Sequence, residues 1–211
     1  MLLRSPWDDI FNITMSTLPA DTAAAVALAV ESYRETNEFS VLLERLLEIA
    51  SAADLDDLIA AVEPYRTVPE IAGPVYERVV AERPNDARAL VTLANAYWLT
   101  GRGAEATGDL AARALAADPA NRAAWHLWAL TEPDPRARML RWKQVSERFS
   151  DDLLARATLA DAAASLAGAE RDREALQLAI RSYDILLKTA QRPEERAALE
   201  TALTTLRGWT F

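Results

Sequence analysis

Apolar residues recur at intervals of three and four positions along almost the whole chain of 211 residues. In one such stripe, Val26, Val30 and Tyr33 share a face of a segment that opens at 18–21 and runs to about residue 36. Ser40 and Asp54 are suited to cap the next two helices, because a short polar side chain can accept a hydrogen bond from the first turn. No segment shows the strict alternation of a half-buried strand. The pattern therefore predicts an all-α protein.

Proline, glycine, asparagine and aspartate interrupt these stripes and divide the chain into further predicted helices. The third helix should end just before Pro64. Residues 66–74, with Pro69, Gly73 and Pro74, predict a loop or a broken turn and the best candidate for a domain boundary. Beyond this loop, helices are predicted at 75–83, 86–100, 103–117, 121–131, 135–148, 151–167, 171–191 and 193–207.

The most specific feature is an internal repeat with an offset of 35 residues. Residues 78–84 read RVVAERP and residues 113–119 read RALAADP, so that Arg, Ala and Pro fall in register. The apolar positions of the helices that follow align as well: Leu90, Leu93 and Ala94 with Trp125, Trp128 and Ala129. A fainter copy begins at 145–151. A repeat of this length indicates stacked helix pairs that bury a continuous core.

This pattern resembles the tetratricopeptide repeat (TPR), a pair of antiparallel helices of about 34 residues. The first copy matches the family motif at Leu90, Leu93, Ala94, Tyr97, Ala106, Leu110 and Pro119. The second copy begins at Trp125 and is cut short by Pro133 and Pro135. The resemblance is clear over 75–130 and extends more weakly to residue 191. It implies antiparallel helix pairs stacked as a short right-handed solenoid, with extra N-terminal helices and a C-terminal capping helix.

The resemblance also implies where a partner would bind. In the family, the first helix of each repeat lines the concave groove that receives partners. On the helix that carries the first motif, Arg88, Val91, Asn95 and Trp98 form a stripe distinct from the motif residues. His126 lies on the equivalent stripe of the next repeat. The resemblance therefore predicts contacts with a protein or peptide at these five residues, unless the N-terminal helices or a neighbouring copy cover this face.

The chain offers few groups for catalysis. It has no cysteine and a single histidine, His126, which excludes thiolate chemistry and a metal site with several histidines. No phosphate-binding glycine loop and no nucleophile elbow occur in the sequence. The carboxylate pairs Asp56–Asp57 and Asp151–Asp152 lie at predicted helix starts, where capping accounts for them. We therefore expect a protein that is not an enzyme and that uses no cofactor or metal.

Charge is distributed unevenly along the chain, and the net charge affects which classes of partner are expected. Residues 1–70 carry 13 acidic and 4 basic side chains, and residues 71–211 carry 19 of each, so the net charge of −9 lies in the first third. A chain of this charge repels nucleic-acid phosphates and anionic membranes, and neither is an expected partner. The predicted domains are an acidic helical segment at 1–70, acting as a cap or dimerisation unit, and a TPR-like domain at 71–211.

Two other functions stay open at this point. A self-associating module is one, because apolar residues are dense in the 40–62 region, at Leu42, Leu43, Leu46, Leu47, Leu55, Leu58 and Ile59. A helical enzyme of unfamiliar type is the other, and it would need carboxylates that converge in a deep pocket.

The N-terminal residues Met1–Asp9 lack the basic start and apolar run of a signal peptide. No apolar run approaches the roughly 20 residues of a transmembrane helix. A cytoplasmic location is therefore expected.

Overall fold

The computed structural model describes residues 21–211, which form helices with no strand among them, so the all-α prediction is confirmed. The helices are α1 (Thr22–Thr36), α2 (Phe39–Ala52), α3 (Leu55–Val62), α4 (Pro69–Glu82), α5 (Ala87–Leu99), α6 (Ala104–Ala117), α7 (Arg122–Leu130), α8 (Pro135–Arg148), α9 (Leu153–Glu170), α10 (Arg173–Thr189) and α11 (Pro193–Arg207). The predictions that concern residues 1–20, including the N-terminal sequence Met1–Asp9, lie outside the described residues.

Aspartate and asparagine side chains begin most of the described helices. Their oxygens accept hydrogen bonds from first-turn N–H groups at Asp21, Asp54, Asp86, Asn121, Asp134, Asp152 and Asp172. Each cap satisfies a donor that has no partner inside its helix. The capping predicted for Asp54 and Asp152 is confirmed. The cap predicted at Ser40 is wrong, because α2 begins at Phe39 and the N-cap position is taken by Glu38.

The described chain divides into two compact units, one ending at Glu82 and the other comprising Arg83–Phe211. In the first unit, α1 packs against α2 and α3, and α4 packs against the same two helices. The core of this unit is formed by fully buried side chains of all four helices: Val26, Leu42, Leu46, Leu58, Val62, Ile71 and Val75. The roles predicted for residues 1–70 and 71–211 stay predictions.

Helix α4 corrects the loop predicted at 66–74. The helix begins at Pro69, a first-turn position where the missing N–H is of no cost, and it continues through Pro74. Pro74 removes one backbone hydrogen bond. The helix nevertheless persists because its apolar face, which includes Ile71 and Val75, is completely buried in the unit. Tertiary packing thus outweighs the local preference against a helix.

The second unit is a series of paired helices. The pairs are α5–α6, α7–α8 and α9–α10, and they are stacked through contacts of α6 with α7 and of α8 with α9. Helix α11 packs on α10 and has the bounds predicted for the C-terminal capping helix. Ala94, Ala129 and Ala160 have no exposed surface, so their small side chains let neighbouring helices approach closely, whereas Ala106 is only partly buried.

Arginine side chains cover the two tryptophans of the second repeat. The rings of Trp125 and Trp128 meet edge to face with centroids 5.3 Å apart, and both pack against the core. The guanidinium of Arg148 lies 5.4 Å from the Trp125 centroid, and that of Arg141 lies 4.4 Å from the Trp128 centroid. These are distances at which a cation is attracted to an aromatic face. The tryptophans therefore act as packing residues, as the repeat motif predicts.

We predict that Ala129→Leu destabilises the protein strongly. Ala129 is completely buried, so the larger side chain must displace its neighbours, at a cost of about 1–3 kcal/mol in the free energy of unfolding. The control is Ala123→Leu on the exposed face of the same helix, with an expected change within about 0.5 kcal/mol. Urea unfolding followed by circular dichroism measures both. Equal stability of the two variants would contradict close packing at Ala129.

Candidate partner-binding surface

Four of the five residues predicted to contact a partner lie on α5. Arg88 and Asn95 are exposed, and Trp98 is 38% exposed. Their spacing of seven and three residues places them on one face of the helix. The side-chain amide of Asn95 donates a hydrogen bond of 3.1 Å to the carbonyl of Val91 one turn earlier, which restrains the Asn95 side chain.

Val91 itself does not belong to this surface. The prediction places it on the stripe, but its side chain is only 9% exposed and contributes to the core. The buried face of α5 extends from Ala89 to Ala94 and is thus wider than the motif positions alone suggest. A partner on this face would contact the residues on either side of Val91.

His126 lies on α7, which packs beside α5. Its Nε2 atom is 2.6 Å from a carboxylate oxygen of Asp152, the residue that caps α9. Its ring meets that of Trp142 edge to face, with centroids 5.4 Å apart. The histidine is partly buried and held by both contacts, so its ring presents a fixed edge rather than a mobile side chain.

Asp152 links the beginnings of α7 and α9 through one buried carboxylate. It accepts a hydrogen bond of 2.9 Å from the N–H of Ala155, pairs with His126, and lies 3.9 Å from the guanidinium of Arg122. Burial raises the pKa of this carboxyl. The hydrogen bonds from Ala155 and with His126, together with the positive charge of Arg122, outweigh burial and bring the pKa below its ordinary value.

The sequence prediction missed several residues of this region. It assigned Asp152 only a capping role, since nothing in the sequence shows that a residue 26 positions after His126 contacts its ring. It also missed three exposed apolar side chains that follow the site residues along the chain, which are Leu99 directly after Trp98 and Leu153 and Leu154 directly after Asp152. Apolar residues that fall outside the repeat motif are the signal that could have identified these three.

The residues described by the structure include no group of three or more histidine, cysteine, aspartate or glutamate side chains placed to hold a metal ion. Over the same residues, 21–211, no helix combines the length and the apolar character needed to cross a membrane.

We predict that Asp152→Asn lowers the free energy of unfolding and makes that free energy less dependent on pH in the acidic range. A carboxyl whose pKa is lowered by folding stabilises the protein above its ordinary pKa of 3.8, and this contribution is lost as the pH falls through the lower folded value. Asparagine can still cap α9 but loses the charged hydrogen bonds, so at pH 7 we expect a loss of about 1.5–3 kcal/mol. Below pH 4 the wild type should approach the variant.

Asp151→Asn is the matched control, because it removes the same charge from the exposed neighbour, which pairs with Arg122 at 3.0 Å. An exposed ion pair contributes about 0.2–1 kcal/mol. Urea unfolding between pH 3 and pH 7 measures the three proteins. Identical pH profiles for the two variants would contradict the role assigned to Asp152.

Comparison with known proteins finds similarity in structure and not in sequence. No protein-family model and no curated protein matches the chain. Two crystal structures of MamA match with TM-scores of 0.56, at 16% and 14% identity, covering 77% and 83% of this chain and 96% and 100% of theirs. A thermophilic TPR protein of Thermus thermophilus matches with a TM-score of 0.50 at 16% identity, covering 87% of this chain and 99% of its own. The chain therefore has a TPR-like all-α fold.

Proposed function

We propose that this chain is a non-catalytic protein-interaction scaffold that binds a segment of a partner protein on the first helices of its repeats. We define the partner-binding surface by Arg88, Asn95, Trp98 and His126. The observation that carries the proposal is the 38% exposure of Trp98 on the first helix of the first repeat. Tryptophan is enriched among the residues that dominate binding energy at protein interfaces.

The chemistry of the surface suits a peptide segment. The indole of Trp98 offers apolar area with few rotatable bonds, and Asn95 and Arg88 on the same face offer hydrogen-bonding groups. His126 is already held by Asp152, so that binding to its exposed edge would cost little conformational entropy. In the TPR family the first helix of each repeat lines the concave side of the helix stack, and this supports a partner site on this face.

The charged groups beside this surface have structural partners, which favours a binding role over catalysis. Asp152 caps α9 and pairs with His126, and the exposed carboxylate of Asp151 pairs with Arg122. A histidine held by a carboxylate acts as a catalytic base when a nucleophile lies within its hydrogen-bond reach, and among the described residues the hydrogen bond of His126 is with Asp152.

Self-association through the acidic helices is the second candidate, and the structure leaves it less apolar surface than the sequence suggests. Of the seven leucine and isoleucine residues named above for the 40–62 region, four are buried inside the first unit: Leu42, Leu46, Leu55 and Leu58. Leu43 and Ile59 are partly buried, and Leu47 alone of the seven is exposed. Phe39 and Val41 on the same helix are exposed as well, so α2 keeps three large apolar side chains that a second copy could contact.

The two candidate functions predict different masses for the protein in solution. If the scaffold proposal holds and the acidic helices do not associate, the protein keeps the mass of one chain, 23.2 kDa, over a wide range of concentration. Sedimentation equilibrium at low and high concentrations measures it. A mass that rises with concentration and returns to 23.2 kDa in Leu47→Asp would move self-association to first place.

The scaffold proposal predicts that Asn95→Ala combined with Trp98→Ala abolishes capture of a partner from a lysate of the native cell. Removing an interface tryptophan typically costs about 2 kcal/mol or more, or roughly 30-fold in affinity. The matched control is Ile185→Ala with Lys188→Ala on α10, because Ile185 is 40% exposed and lies outside the proposed surface. Circular dichroism should show equal folding of all three proteins.

Proteins captured by the wild type and the control but lost in the double variant would support the proposal and supply the partner. Capture of the same proteins by all three would assign binding to another surface. Capture of this chain alone would favour self-association.

A further inference from the structure

An apolar groove runs between α1 and α2 in the first compact unit. It holds about 690 Å³ of space that is open to solvent, and the residues that line it belong to α1, α2 and the turn between them. Ala29 and Leu42 form part of a buried floor. Leu28 and Val41 line the open side, where they are 59% and 39% exposed. Large apolar side chains that converge on a groove in this way are suited to receive another apolar element.

The shape and chemistry of the groove favour a helix as its occupant. Along α1 the lining residues extend from Ala25 to Thr36, which is eleven residue steps, or about 16 Å and about three turns of a second helix. An extended segment would bury backbone N–H and C=O groups against walls that are mainly apolar, and each unpaired group would cost free energy. A helix pairs these groups internally and offers an apolar stripe to the groove.

Negative charge is in excess on the two helices that form the groove. From residue 22 to residue 52 the chain carries five glutamates and two arginines. Each arginine already has a glutamate partner on its own helix: Arg34 lies 3.6 Å from Glu31, and Arg45 lies 3.2 Å from Glu48. The excess therefore consists of the three other glutamates.

These three glutamates, Glu35, Glu38 and Glu44, are exposed and have no ion pair with any residue of 21–211. Glu38 lines the groove, and its side chain makes no capping hydrogen bond although it occupies the N-cap of α2. Glu35 follows Leu28 by seven residues, and Glu44 follows Val41 by three. Each thus lies on the same face of its helix as an exposed apolar residue of the groove.

Charge complementarity selects among the apolar elements that could enter the groove. The first unit of a second copy would bring the same excess of negative charge, and like charges that meet at an interface disfavour the contact. A helix with lysine or arginine beside its apolar stripe would instead pair its cations with the three free carboxylates. The long apolar stems of lysine and arginine would also cover part of the groove wall.

We propose that the groove between α1 and α2 binds a basic amphipathic helix of a partner protein. The apolar stripe of that helix packs on Leu28 and Val41, and its flanking cations pair with Glu35, Glu38 and Glu44. This site does not rest on the partner-binding surface of α5 and α7, and it gives the chain a second docking surface of different chemistry.

The probe for this site is a fluorescent peptide of about four helical turns that contains only leucine and lysine, with leucine at helical spacing. In one control peptide glutamate replaces every lysine. In the other, the same residues are reordered so that leucine no longer forms a stripe. Fluorescence anisotropy measures the binding of each peptide to the full chain. We expect the basic amphipathic peptide to bind at least roughly tenfold more tightly than either control.

The apolar part of the proposal is tested by Leu28→Gln combined with Val41→Gln, which removes apolar surface without changing charge. Binding of the basic peptide should weaken by about tenfold or more. The matched control is Leu47→Gln with Leu140→Gln, because these leucines are 49% and 46% exposed and do not line the groove. Equal affinities of the two variants, with equal circular dichroism, would overturn the proposal.

The electrostatic part is tested by the triple variant Glu35→Gln, Glu38→Gln and Glu44→Gln. At low salt its affinity for the basic peptide should fall by about tenfold, and its salt dependence should be weaker than that of the wild type. The control changes three exposed glutamates of the second unit to glutamine: Glu105, Glu194 and Glu200. An equal loss in this control would assign the effect to net charge and overturn the pairing.

Three further outcomes would also overturn the proposal. The first is no binding of the basic peptide by the wild type, or equal binding of all three peptides. The second is loss of binding in Asn95→Ala with Trp98→Ala, which would assign the peptide to the surface on α5. The third is a mass that rises with concentration in the wild type and returns to that of one chain in the Leu28 and Val41 variant, because the groove would then receive a second copy.

Discussion

The structure depends on one constraint: no helix pair can bury its apolar face alone, so each pair must pack closely against the next. Alanine makes this possible in the second unit, where Ala94, Ala129 and Ala160 are completely buried at positions that admit no larger side chain without rearrangement. Tryptophans fill the wider spaces, and arginines cover their faces. The alternation of small and large residues thus sets the distance between neighbouring helix pairs. This distance in turn determines where the exposed residues lie.

Capping aspartates connect this packing to the candidate surface. Asp152 shows how, because the carboxylate that begins α9 also holds the ring of His126 on α7. A residue that serves both helices fixes the relative position of two first helices, and so of the side chains that they present. The capping interactions that begin the helices therefore also hold the side chains of the proposed surface in place.

The sequence was most informative where local chemistry and packing agree. Helix α11 has the predicted bounds, because Pro193 and the acidic first turn mark its start and the apolar stripe marks its face. The sequence was misleading at α4, where Pro69, Gly73 and Pro74 indicate a loop but burial of the apolar face preserves a helix. Val91 and His126 show the limit of what the sequence could predict about the candidate surface. Helical spacing indicates which residues share a face of a helix. The burial of Val91 and the contact of His126 with Asp152, 26 positions later, depend on how the helices pack.

The pattern of helix contacts has a kinetic consequence. Within each unit the principal contacts join helices that are neighbours or next neighbours along the chain. Such a fold has low contact order, so little loop entropy is lost before each contact forms, and folding should be fast for a chain of this length. The contacts between α5 and α6 need no residue beyond Ala117, so they can form before α11 is translated, and the repeats can assemble in the order in which the ribosome releases them.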